Sequence, residues 1–350
     1  FTLGDTGLVN QNTGDFVSWT FRKAPKFFDV VTYTGNNSTQ NISHNLGSVP
    51  GMIIIKCTSR SGDFWNVYHR SLGNNKRLLL QSTINAGTSG DFLNSTDPTS
   101  TQFTVGQESD VNASGQTYVA YLFAHNDGDG EFGPDSDQDI IKCGSYVGDG
   151  TDFQEIDLGF EAQWVMTKAT SRTSNWDITD IMRGLTVDNS ERLEANSDTD
   201  ENTETFKKVY NNGFMVSGNN TDSNTGTQTY IYMAIRRGPL ASPESATDVF
   251  AVAARTGASG NQGAYRSGFP VDMAFHKVVT SSANPYEIGS RLTQGNSMNT
   301  TDTSAETTQG DQQYDYMDGW NSEGSSSSTK YAWMWKRAPS YFDVVAYTGD

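Results

Sequence analysis

Short apolar runs alternate along the chain with clusters of Gly, Asn, Ser, Thr and Asp, and helical periodicity is scarce. Phe28–Thr34 is a β-rich run centred on Val30 and Val31 and closed by Gly35-Asn36-Asn37. Met52–Lys56 is a continuous apolar run of strand length entered through Pro50-Gly51, and Tyr118–Phe123 reads as a central strand. Phe206–Tyr210 and Phe214–Val216 flank Asn211-Asn212-Gly213, which predicts a hairpin because Asn and Gly tolerate φ > 0. The best helical candidate is a short turn at Ser242-Pro243-Glu244, with Ser as cap and Pro in the first helical position. The pattern predicts an all-β protein built from small antiparallel sandwiches, jelly-roll-like in kind.

The pattern also repeats. Trp19 to Gly35 and Trp333 to Gly349 lie 314 positions apart and share ten identities in seventeen positions, including Ala-Pro and Phe-Asp-Val-Val. Inside that period, Leu46-Gly47 through Met52–Lys56 is echoed by Leu158-Gly159 through Trp164–Lys168, and again by Gly268 through Met273–Lys277. A recurrence of this length is the signature of a repeat array. It predicts three related modules, 27–126, 139–238 and 248–338, joined by linkers 127–138 and 239–247. Residues 1–26 read as the C-terminal strands of a preceding module, and 339–350 as the start of the next. Recurring strands with open edges need partners, so stacking or self-association with other copies or neighbouring repeats is expected.

Charge and composition narrow the function. A net charge of −17, from 24 basic and 41 acidic residues, speaks against a nucleic-acid partner, whose phosphates need clustered Lys and Arg. No apolar run approaches the roughly 20 residues of a membrane-spanning helix, so membrane insertion is not expected. The two cysteines, Cys57 and Cys143, offer neither a disulfide framework nor a CxxC zinc pattern. No nucleophile elbow or P-loop occurs, and no cofactor is expected.

Two groups of candidate ligand-binding residues stand out. Asp127, Asp129, Glu131, Asp135, Asp137 and Asp139 crowd the first linker, mostly at every-other spacing, and could converge on Ca²⁺. A solvated acidic linker is the plainer reading, and Ile140 breaks any EF-hand match. The same stretch holds Gly128-x-Gly130-x-x-Gly133, but Pro134 follows where a dinucleotide site needs a helix. Trp320, before the Ser325–Ser328 run, is the more exposed aromatic and a candidate for stacking on a glycan, whereas Trp19, Trp164, Trp333 and Trp335 read as core. His69 shares a Trp/Arg/Leu context with Trp176–Leu185, where no His occurs, and so reads as packing. The basic pairs Arg22-Lys23, Arg236-Arg237 and Lys336-Arg337 precede small-Pro steps and are expected to meet acids of the next module, such as Asp29 and Asp343.

Taken together, Arg22-Lys-Ala-Pro through Tyr-Thr-Gly35, Asn45 through Ile53, Asp137 through Tyr146 and Ile235-Arg-Arg-Gly-Pro239 resemble the repeated modules of large tail-fibre or appendage proteins of marine tailed phages, such as those infecting cyanobacteria and Pelagibacter. The resemblance implies a structural, non-enzymatic part of an extracellular virion fibre, appendage or sheath, and brings no catalytic residues with it. Two other readings follow from the residues: an adhesin binding a cell-surface glycan, and a polysaccharide depolymerase, which would need a carboxylate pair.

Overall fold

The computed structural model describes residues 2–346 apart from 5, 13, 219, 256–262, 281–285, 302, 309–311 and 323–328. The Ser325–Ser328 run and the last residues of the repeat, Tyr347 to Gly349, lie outside the described residues.

The chain is all-β, with several antiparallel sheets. The first sheet uses β1 (Phe28–Thr34), β3 (Met52–Cys57), β4 (Asn66–His69), β5 (Lys76–Leu79), β6 (Gly87–Thr88) and β8 (Thr117–Phe123), in the order β1-β8-β3-β4-β5-β6. Strands β2 (Gln40–Ser43) and β7 (Gln102–Val105) form a separate pair. The second sheet uses β9 (Ile141–Val147), β11 (Ala162–Ala169), β12 (Trp176–Asp180), β13 (Ser190–Glu194), β14 (Asn202–Glu204) and β17 (Thr229–Arg236), in the order β9-β17-β11-β12-β13-β14. A three-stranded sheet accompanies it, made of β10 (Gln154–Asp157), β15 (Lys207–Tyr210) and β16 (Gly213–Val216). The third sheet uses β18 (Phe250–Ala254), β19 (Met273–Val278), β20 (Glu287–Ser290), β21 (Asn296–Asn299), β22 (Thr307–Thr308) and β23 (Lys330–Trp335), in the order β18-β23-β19-β20-β21-β22. All three six-stranded sheets therefore follow one path: the first strand pairs with the last, and the last with the strand that carries the echoed apolar run.

Register makes the correspondence residue by residue. Met52 faces Phe123, Trp164 faces Ile235, and Met273 faces Trp335. Lys56, Lys168 and Lys277 then share one position, as do Trp65, Trp176 and Tyr286 one residue before or at the start of the next strand. Because side chains alternate along a strand, each sheet has two distinct faces. The back face of the second sheet, with Val165, Tyr230, Tyr232 and Ala234, packs on Ile156, Phe214 and Val216 of the small sheet. In the first sheet, Tyr33 and Tyr118 stack at 5.1 Å, and Tyr33 meets Phe103 of β7 edge-on at 6.3 Å. In the third, Ala274, Ala332 and Met334 pack on Tyr265, Phe269, Tyr314 and Trp320.

Several sequence expectations change. The hairpin lies between β15 and β16, with Tyr210 opposite Gly213, but neither Asn211 nor Asn212 has φ > 0. Gly213 is needed instead because β10 runs beside it: a Cβ there would lie 1.9 Å from the Ile156 carbonyl oxygen. The helical turn falls at Ala246–Asp248 and is capped by Ser245, whose side chain accepts from the Thr247 N–H, rather than by Ser242. Phe16–Phe21 forms no strand, although the matching Lys330–Trp335 does. The difference is partners: β23 is hydrogen-bonded to β18 and β19, whereas the earlier segment packs its Trp19 and Phe21 side chains without joining a ladder.

Candidate assembly interface

The front faces of the first two sheets pack against each other. Met52, Ile54, Val67 and Phe123 belong to the same buried cluster as Trp164, Met166, Trp176, Ile178, Ile231 and Met233. Met52, Ile54 and Val67 stand at the positions equivalent to Trp164, Met166 and Ile178, so the centre of the contact is homotypic, each sheet burying the same part of its front face against the other. Trp176 is 1% exposed, and its indole N–H donates to the Leu79 carbonyl at 2.9 Å. Lys168, buried at the same corner, donates from Nζ to the carbonyls of Thr83 (3.0 Å) and Ser174 (2.9 Å). Burial lowers its pKa to about 8, despite the pull of Asp222 and Asp177. Backbone bonds from Ala86 to Thr170 and from Ser174 to Thr83 tie the sheets at that edge. At the other edge, Gly51 gives the room the contact needs: a Cβ there would lie 2.7 Å from the Cys143 Cβ and 2.9 Å from the His125 Cβ.

His69 belongs to this interface as a structural group. Its Nδ1 accepts from the Ser71 N–H at 3.2 Å, so the proton sits on Nε2, which donates to the Tyr232 carbonyl at 3.1 Å. Burial depresses its pKa to about 4 and keeps the ring neutral. Asp180 stands at the matching position in the second sheet, opposite Trp164, where it accepts from Arg183 Nε at 2.7 Å and from the Trp19 indole at 3.1 Å.

A second set of ties runs between the second and third sheets. Glu161 receives Arg237 and, at 3.0 Å, Arg337. Asp272 receives Arg237 Nη2 at 2.9 Å, Arg291 Nε at 3.3 Å and the Arg337 backbone N–H at 2.7 Å. Burial alone would raise the Asp272 pKa, but Arg237 and Arg291 outweigh it and hold the carboxyl below its ordinary range. The basic pairs thus do meet acids. Lys23 pairs with Asp29 at 2.6 Å, and Arg337 pairs with Asp343, the same contact 314 positions further along the chain. Glu161 and Asp272 were not singled out in the sequence, where nothing distinguishes them from the other acids.

The other sequence candidates resolve differently. The six linker acids do not converge. Asp139 accepts from the Gly128 and Gly130 N–H groups at 2.8 and 3.0 Å, Asp129 accepts from the Asp127 N–H at 3.1 Å, and Glu131 pairs with Lys26 at 2.6 Å. Asp135 and Asp137 are exposed. The carboxylates serve the loop's own backbone and neighbouring lysines, which removes the support for a Ca²⁺ site there. Among the described residues, the acidic side chains that do gather are Asp177, Glu194 and Asp222. A cation already sits among them: the Arg192 guanidinium reaches Asp177 at 3.2 Å, Glu194 at 2.9 Å and Asp222 at 3.4 Å, with Phe206 stacked 3.8 Å away. Arg77 plays the same part in the first sheet, donating to Asn66 at 2.7 Å and pairing with Glu108 at 2.7 Å. Burial pushes the Asp177 carboxyl up, against the pull of Lys207 and Arg192.

Trp320 is 0% exposed, contrary to the sequence expectation. It packs against Tyr265 at 5.3 Å, His276 at 5.4 Å and Tyr314 at 6.0 Å, because in the third module the segments around 263–271 and 312–322 cover the sheet's back face. An indole held there cannot stack on a glycan. Trp164 is core as expected, whereas Trp19, Trp333 and Trp335 are only half-buried.

No curated protein matches the chain. A family model does match, over residues 1–239, and its boundary falls just after β17 ends at Arg236. The matched region therefore spans both paired sheets and stops before the third. The chain belongs to the family described as Domain of unknown function (DUF7483).

Proposed function

We propose that the chain is a structural repeat unit of an extracellular fibre, tail appendage or sheath of a phage virion, assembling through its sheet faces and carrying no catalysis. The observation that supports this best is the homotypic packing of the first two sheets. A fold that buries the same surface on sister modules is suited to building by addition. The resemblance of the repeated Ala-Pro and Phe-Asp-Val-Val segments to tail-fibre modules points the same way. The titratable groups support a packing role: His69 at the interface is neutral and fully bonded, and on the second sheet's other face Asp177, Glu194 and Asp222 surround an arginine. The glycan-binding reading loses its named residue with the burial of Trp320.

The test is electron microscopy of a polypeptide containing this chain and its flanking repeats. Ordered rods or filaments are expected. Discrete globular monomers at every concentration would overturn the proposal.

A further inference from the structure

The third sheet carries the equivalent front face, and among the described residues no six-stranded sheet covers it. Register places Phe275 and Trp333 opposite each other on this face, with Met273 opposite Trp335 next to them. Ring contacts agree: Trp335 lies 5.2 Å from Phe275 and 5.1 Å from Phe250, and Trp333 lies 6.0 Å from Tyr286. In the first two sheets the matching positions are more closed: Cys143 is 0% exposed, Leu78 1% and Ile231 2%. Here Val252 is 52% exposed, Met298 45%, and Tyr331 37%. The back face is not available as an alternative, because Trp320 and its neighbours already fill it.

Three features identify the occupant. First, there are three such faces and two of them close on each other, so among the described residues one is left over. Second, the contact that closes the first pair is between equivalent positions, which shows that this surface can pack against its own kind. Third, the polar corner is kept. Lys277 lies over the Tyr286 ring at 4.8 Å, as Lys56 lies over Trp65 at 5.9 Å at the matching place in the first sheet. An exposed apolar surface with a single recurring cation at its rim is a contact surface rather than ordinary solvent-facing sheet.

One end of the face is bounded. Met273, Ile288 and Met298 open onto a groove of about 1360 Å³, whose far wall is the outer side of the small sheet and which also holds Val344–Ala346. The Val252, Tyr331 and Trp333 end is free of that groove.

We infer that the front face of the third sheet is a homotypic docking surface, closed in the assembly by the third sheet of a second copy of this chain. A two-fold arrangement satisfies both faces at once, each copy supplying and receiving the same residues. This rests on the assembly role proposed above, and it adds the surface and the partner.

Sedimentation velocity of the 350-residue chain over a concentration series tests it, alongside a Val252→Glu/Tyr331→Glu variant. Both substituted residues are solvent-exposed, so the variant should fold, which circular dichroism checks. Phe64→Glu, an exposed apolar residue in a loop of the first module, is the control. The inference expects a monomer–dimer equilibrium in the parent chain, at least tenfold weaker dimerisation in the double variant, and no change in the control. Dimers that persist in the double variant would overturn the inference while leaving self-assembly standing. A parent chain that stays monomeric would overturn it too, and electron microscopy of the longer polypeptide would still judge the wider proposal separately. Monomers whose tryptophan fluorescence responds to oligosaccharides would overturn it in favour of a glycan at this face.

Discussion

Trp176→Ala should destabilise the first module as much as the second. The indole is buried between the two sheets and donates to Leu79, a residue of the other module. Truncating a buried Trp to Ala costs about 3–5 kcal/mol in lost transfer free energy and residual cavity. The lost hydrogen bond adds about 1 kcal/mol. With a urea dependence of about 3 kcal/mol per molar, the upper end of the usual range and the one that suits a body of this size, the unfolding midpoint should fall by about 1–2 M. Equilibrium urea unfolding followed by circular dichroism gives the total. Hydrogen exchange of the β3 and β8 amides gives the part felt across the interface. Both should weaken together, and Trp176→Phe should cost roughly 1–2 kcal/mol because it keeps most of the ring volume. If β3 and β8 keep their protection while β12 loses its own, the sheets merely touch, and the reasoning fails.

Asp272→Asn removes the charge shared by Arg237 and Arg291, both almost fully buried, and should cost about 3–5 kcal/mol in thermal or urea unfolding, because it leaves buried cations uncompensated. Gly51→Ala should cost about 1–3 kcal/mol by overpacking against Cys143 and His125, whereas Gly87→Ala, with open space around it, should change the midpoint little. Stability should fall on acidification from about pH 6.5 to 4. Across that window the unfolded chain takes up protons that the folded His69, with its pKa lowered to about 4, does not. At about 1.4 kcal/mol per pH unit, His69 alone contributes up to about 3 kcal/mol of this loss. His69→Gln should flatten the pH dependence of the urea midpoint across the same window, and an unchanged slope would count against a neutral buried ring.

The strands were legible where local pattern and burial agree. Phe28–Thr34 is β1 to the residue, and the run at Met52 becomes β3 because its unbroken Met-Ile-Ile-Ile sequence suits a strand buried on both faces. What covered each face was not legible, since hydrophobicity marks burial without naming a partner. The third sheet did carry a signal. In Tyr331–Trp335 the large rings fall on one face and Ala332 and Met334 on the other, a pattern that differs from the evenly apolar β17. The recurring Lys56, Lys168 and Lys277 marked the same corner in all three modules. Trp320 misled because its neighbours in sequence are polar, while its packing partners Tyr265 and His276 lie more than forty residues away. The linker acids misled for a related reason: carboxylates that cap local N–H groups have the same spacing in sequence as carboxylates that gather round an ion.

The central claim is that the front faces of the first two sheets make them one cooperative body. Each sheet holds one cysteine, Cys57 in the first and Cys143 in the second, and both are free and buried. Pulsed thiol labelling across a urea series, with the two peptides separated by mass spectrometry, reads each sheet independently in the unmodified chain. The account predicts that both thiols become reactive at the same urea concentration and with the same steepness. Separate midpoints, with one cysteine labelled while the other stays protected, would contradict it.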